Sequence, residues 1–113
     1  MEPILTPAAI GHALGPETSW VFEANTLRRT YLTDGWRGSM LVANAIGFIC
    51  EAADHHAEVL VSWPRVTVTL ATHSAGGVTE KDVEVAGMIE RHVMWRPGSA
   101  SALSGPTAPF VKA

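Results

Sequence analysis

The chain has 113 residues, room for one domain, and 47% of them are hydrophobic, the fraction expected of a chain that buries a core. Its formal net charge is -3 and its basic residues are scattered apart from the Arg28-Arg29 pair, which leaves no electrostatic footprint for nucleic acid or an anionic membrane. The single cysteine, Cys50, excludes an internal disulfide and falls in an apolar run where a buried thiol is the ordinary outcome.

Met1-Glu2-Pro3 lacks the basic region and apolar run of a signal peptide, and no apolar stretch reaches the roughly 18 residues of a membrane span, so a cytoplasmic location is expected. Thr6 to Gly15 predicts a short helix: Thr6 can accept free amides, Pro7 suits the first turn, and Gly15 can take the left-handed stop. His12 lies on that helix as a solvated or packing residue. Ser19 to Phe22 and Thr26 to Leu32 are rich in β-branched and aromatic types, with Glu23-Ala24-Asn25 as the tight connection of a hairpin. The second of these strands does not alternate cleanly.

From Trp36 to Asp54 the pattern is helical, with Trp36, Met40, Ala43, Gly47 and Cys50 recurring at three- and four-residue steps. Apolar residues occupy most of the circumference, so this helix is expected either to be buried between the sheet and other elements or to be partly covered by another subunit. Val59 to Trp63 and Val66 to Thr72 read as strands joined at Pro64-Arg65, with Val66, Val68 and Leu70 on the core face. After the Gly76-Gly77 loop, Thr79-Glu80-Lys81-Asp82 is close to a capping box for a helix running to about Val93. Trp95-Arg96-Pro97 closes it. The domain is therefore placed at residues 1–95, and residues 96–113, rich in Ser, Ala, Gly and Pro, are expected to form a flexible tail.

Three of the five histidines gather at the edges of these elements. Glu51 and His55 are four apart and would stack on one helical face, where the carboxylate can hold the imidazole. His56 follows at about 100° around the helix, so the helix must end near the pair if both are to face one cavity. His73 comes where the second strand gives way to its loop, a position suited to catalytic groups. Imidazoles titrate nearest neutrality, which points to general acid/base chemistry. Each residue also has a plain structural role open to it: His55 as a helix C-terminal cation, His56 in a solvated turn, His73 as a strand-end hydrogen-bonder and Asp82 as a helix cap. Glu51, His55 and His73 have ligand chemistry, but no recognised metal spacing is present, so no metal is expected. Ser62 and Ser74 have no nucleophile motif around them.

The order Glu51-x-x-x-His55-His56-x-Glu58, Trp63, Val66-Thr67-Val68-Thr69-Leu70-x-Thr72-His73 and Gly77-Val78-Thr79-Glu80-Lys81-Asp82 resembles the pterin-4a-carbinolamine dehydratases, also known as dimerisation cofactors. The resemblance implies an α+β domain, a four-stranded antiparallel sheet with helices packed on one face, assembling as a homodimer or homotetramer. It implies dehydration of 4a-hydroxytetrahydropterin to quinonoid dihydropterin, in tetrahydrobiopterin recycling, with no metal or organic cofactor. Carried over by position, His55 and His73 would be the acid/base pair, His56 would bind and orient the pterin, and Glu51 would support His55. Ala57 and the segment Thr72, His73, Ser74 and Ala75 would line the substrate site. The chain departs from the family pattern at Ala57, where proline is usual, and at Val59, where an aromatic is usual. The other reading is a non-catalytic binding, coactivator or assembly protein on the same fold.

Overall fold

Thr6 accepts the Ala9 amide at 3.1 Å, Pro7 takes the first turn and Gly15 stops the helix at φ +87°, giving α1 (Pro7–Leu14) as the sequence predicts. The computed structural model describes residues 2–113. The hairpin follows as β1 (Val21–Glu23) and β2 (Thr26–Leu32). Its turn is tighter than expected, because Glu23 belongs to the strand and only Ala24 and Asn25 reverse the chain. Both have positive φ, +51° and +61°, the handedness that matches the twist of the flanking strands.

Burial along β2 alternates without a break, with Leu27, Arg29 and Tyr31 inward. The sequence hid this because one inward place is an arginine. Its charge is met from far along the chain: Arg29 Nε and Nη2 donate to the two oxygens of Glu90 at 2.9 and 3.1 Å, and its guanidinium lies over the Tyr31 ring. Tyr31 Oη and Trp20 Nε1 donate to the same carboxylate at 2.8 and 3.0 Å. Burial pushes the Glu90 carboxyl up, but these four bonds outweigh it and hold the group below its ordinary range. Burial, then the Glu90 carboxylate, push the Tyr31 phenol far up.

The remaining elements are α2 (Trp36–Ala53), β3 (Glu58–Ser62), β4 (Arg65–Leu70) and α3 (Glu80–Val93). The sheet runs β1-β2-β4-β3, antiparallel throughout, with the register Leu27↔Leu70, Arg29↔Val68 and Tyr31↔Val66. Those inward residues form one core with Ile46 and Ile49 of α2 and Val85, Ala86 and Ile89 of α3. The helices thus cover one face of a four-stranded antiparallel sheet, the predicted α+β architecture. Each fully buried aliphatic side chain contributes about 1.5–3 kcal/mol. β4 ends at Leu70, two residues before the expected limit, and the turn into it is Trp63-Pro64.

The buried face of α2 shares only Cys50 with the three- and four-residue repeat in the sequence. Gly38, Ser39, Val42, Ile46, Ile49 and Cys50 face inward, whereas Trp36, Met40 and Gly47 are exposed. An apolar helix surface gives no contrast to choose the buried side, and here polar bonding helps to choose it. The Ser39 hydroxyl donates to the Trp63 carbonyl at 3.0 Å and shares a 2.7 Å bond with Thr33.

The end of the tail pairs with the sheet. It loops away from α3 and returns beside the end of β2, where β1 is too short to reach: Leu32 N–H donates to the Ala113 carbonyl at 3.0 Å and Lys112 N–H to the Leu32 carbonyl at 2.7 Å. Val111 is buried and bridges Thr33, while Asp34 N–H donates to Phe110 O at 3.0 Å. Phe110 sits so close to α2 that a Cβ on Gly38 would lie 2.8 Å from its carbonyl oxygen. Backbone pairing, which leaves no mark in composition, holds the tail end in place.

Candidate active site

Helix α2 ends before the histidines. Asp54 takes the left-handed conformation, φ +52° and ψ +43°, and the His55 amide donates back to Cys50 O at 3.1 Å, a Schellman-type closure with aspartate where glycine is usual. The chain therefore stops its helix without a proline at position 57. Ala57 is half-buried against the core just before β3 begins.

This ending changes the partners expected from helical spacing. Glu51 does not hold His55. It stays on the last turn of α2 and meets His56, with Glu51 Oε1 and His56 Nε2 2.9 Å apart. Both side chains are exposed, so water screens that pair and its orienting force is small. His55 turns inward instead, and its Nε2–H donates to Asp82 Oδ1 at 2.6 Å. Asp82 has no exposed surface and the His55 side chain is 12% exposed.

Asp82 holds more than the imidazole. It occupies the third position of α3, where its Oδ2 accepts the Thr79 amide at 2.9 Å and completes the predicted capping box. The same oxygen accepts the Thr72 hydroxyl at 2.7 Å. Since Thr72 spends its proton on Asp82, its oxygen accepts from the Thr79 hydroxyl at 2.8 Å, which in turn accepts the Lys81 amide at 3.3 Å. Every donor direction in this buried chain is set. The carboxylate accepts at both oxygens, so the ring proton of neutral His55 sits on Nε2 and the Nδ1 lone pair is free.

Thr72 closes a tight loop with Gly77, whose carbonyl accepts the Thr72 amide at 2.9 Å. His73 and Ser74 are exposed on that loop, and Ala75 is half-buried there. The structure thus joins His55 to Thr72 through Asp82 and puts His56 and His73 one residue beyond this pair. A cavity of about 480 Å3 opens between the ends of α2 and α3, lined by His55, Lys81, Glu84 and Met88 among others. Neither His56 nor His73 lines it. Lys81 Nζ donates to Glu2 Oε1 at 2.6 Å, and that bond raises its pKa. Among the described residues no cluster of three or more His, Cys, Asp or Glu side chains is arranged to hold a metal. No helix among them is long and apolar enough to cross a membrane.

Sequence reasoning missed the His55–Asp82 contact because the partners are 27 positions apart and a nearer carboxylate fitted the helix rule. The signal that could have found it was the aspartate at the third helical position, where the side chain must point back toward the loop that carries Thr72.

Residues 3–92 match the family model described as pterin 4 alpha carbinolamine dehydratase. A protein of Opitutus terrae named "Putative pterin-4-alpha-carbinolamine dehydratase" is 43% identical over 96 residues, covering 84% of this chain and 98% of the relative. One of the same name from Roseiflexus castenholzii is 34% identical over 90 residues, covering 80% and 97%. A crystal structure from Brucella melitensis, described as a transcriptional coactivator/pterin dehydratase, superposes with a TM-score of 0.70 at 30% identity, covering 78% of this chain and 96% of that one.

Proposed function

Because the chain belongs to the pterin 4 alpha carbinolamine dehydratase family, we propose that it is a hydro-lyase converting 4a-hydroxytetrahydropterin to quinonoid dihydropterin in tetrahydrobiopterin recycling. The observation that carries this reading is the 2.6 Å bond from His55 Nε2 to a carboxylate that is itself locked by Thr72 and Thr79. It fixes one ring nitrogen as donor to Asp82 and leaves the other for substrate, the arrangement a general base requires.

In this reaction the C4a–O bond breaks and a C4a=N5 bond forms. The hydroxyl needs a proton to leave as water, and the N5–H proton must go to a base. His55 accepts the N5 proton at Nδ1, and Asp82 stabilises the resulting imidazolium. His73, on the exposed loop after Thr72, delivers the proton to the departing oxygen. His56, beside Glu51, binds and orients the pterin, while Ala57 and the backbone of Thr72, Ser74 and Ala75 shape its edge. Each well-placed proton carrier contributes about 10²- to 10⁴-fold in rate. No metal or organic cofactor enters this scheme. The direct test is to add purified protein to freshly generated 4a-hydroxytetrahydropterin and follow dehydration by absorbance. A rate equal to that in buffer at neutral pH would sink the enzyme reading.

The protein acts as a homo-oligomer in this reading. Exposed Trp36, Met40, Leu41 and Phe48 along α2, and Leu60 on the edge strand β3, are apolar surface that a second copy would cover. Light scattering coupled to size exclusion checks it: a monomer at micromolar concentration would be inconsistent. The coactivator half of the Brucella protein's description favours a second, non-catalytic reading on the same oligomer surface, which the dehydration assay separates from the first.

A further inference from the structure

A cavity lies away from His55, where the tail folds back over the end of α3. It holds about 580 Å3, within the roughly 300–1,000 Å3 range of small-molecule sites. Most of it is made by residues after position 92, outside the segment that matches the family model.

Its walls have a definite chemistry. Trp95, Leu103, Pro109 and Phe110 supply apolar surface, and the only ionisable side chains lining it are His92 and Arg96. No carboxylate lines it, in a chain whose net charge is -3. Arg96 is held in place: Nη1 donates to Trp95 O at 3.2 Å and Nη2 to the Val111 carbonyl. Those neutral acceptors orient the guanidinium without cancelling its charge, and they leave some of its five N–H donors free.

The loop that carries Leu103 and Gly105 is also braced. The loop turns at Ser101, whose amide donates to Gly98 O and whose hydroxyl accepts the Leu103 amide, both at 3.0 Å. Gly105, at φ +75°, lies against the Pro97 ring. Arg96 ties the start of the loop to Val111 at its end, the closed-neck form of a compact surface loop.

We propose that this cavity binds an organic anion with a flat apolar body, an aromatic carboxylate, seated against Trp95 and Leu103 with its charged end on Arg96 and His92. The apolar body gains by leaving water, and the carboxylate finds oriented donors where no other anion competes. This site is independent of the proposed dehydratase chemistry.

The test titrates the full chain with 2-naphthoate, with uncharged 2-naphthalenemethanol alongside, and follows backbone and indole N–H resonances. Saturable shifts confined to Trp95, Leu103, Gly105 and their neighbours, with the alcohol bound at least about tenfold more weakly, are expected from the loss of one charge-assisted contact. Arg96→Gln should weaken naphthoate by a similar factor and leave the alcohol unchanged. Leu103→Trp, at an exposed loop position, fills the cavity and should weaken both, which keeps the test valid should Arg96→Gln loosen the tail. Equal affinity for the two probes, shifts centred on the His55 region, or no saturation at millimolar probe would each overturn the proposal. So would an affinity that falls as protein concentration rises, since a second copy would then occupy the cavity.

Discussion

Asp82→Asn changes one atom's chemistry at the centre of the buried network. Oδ2 receives two protons, from the Thr79 amide at 2.9 Å and the Thr72 hydroxyl at 2.7 Å. A backbone N–H cannot accept, so asparagine must keep its carbonyl oxygen at that place, and its NH2 group lands on His55 Nε2. Two donors then face each other across the former 2.6 Å bond. The ring resolves this by moving its proton to Nδ1, which turns the proposed catalytic lone pair into a donor. Loss of a correctly set general base costs about 10²- to 10⁴-fold in rate, or roughly 3–5 kcal/mol of barrier. Stability should fall far less, by about 1–2 kcal/mol, because every hydrogen bond keeps a partner and only charge assistance is lost. The assay pairs dehydration of 4a-hydroxytetrahydropterin with urea unfolding of the same preparation. A variant within about threefold of wild type, a barrier change under about 1 kcal/mol, would refute the assignment of His55 Nδ1 as the base.

Other outcomes follow from the same structure. His73→Ala, at an exposed loop position, should abolish acceleration and leave the far-ultraviolet circular dichroism unchanged; surviving activity would remove His73 from the proton transfer. Glu51→Gln should raise KM more than it lowers kcat, since Glu51 touches His56 and not His55; an equal fall in kcat would reverse those roles. Glu90 is held below its ordinary pKa in the fold, so its stabilising contribution is present above the unfolded carboxylate value and lost as pH falls through the folded one. Glu90→Gln should therefore flatten the acid side of the stability profile. At neutral pH it should cost about 1–3 kcal/mol by urea unfolding, the bonds to a charged group weakened rather than all removed, with Glu90 a third exposed. Gly38→Ala gains helix propensity but drives a methyl to within 2.8 Å of the Phe110 carbonyl; a net loss of about 1–2 kcal/mol is expected, with faster hydrogen exchange at Lys112.

Local rules in the sequence located most elements because their causes are local. Thr6, Pro7 and Gly15 bracket α1, and Thr79 with Asp82 opens α3, through contacts within a few residues. What escaped has distant causes. Arg29 reads as a break in β2 until Glu90, 61 positions on, supplies its counter-charge. The buried side of α2 is chosen partly by Ser39 reaching Trp63, which no wheel of apolar residues can show. At the site, the helical rule that tied Glu51 to His55 needs α2 to continue through His55, and the left-handed Asp54 ends it at Ala53. The end of the tail is held by main-chain bonds to β2, so its side chains announce nothing.

The Glu90 carboxylate also sorts the tryptophans. Trp20, whose indole donates to it, is 5% exposed, while Trp36, Trp63 and Trp95 are all more than half exposed. In a Trp36→Phe variant, which removes the indole that a second copy would cover, a soluble quencher such as acrylamide should therefore extinguish the emission of two and spare Trp20. The light that survives comes from one indole at the seam of α3 and the sheet, so the chain carries its own optical gauge of that seam, separate from both cavities.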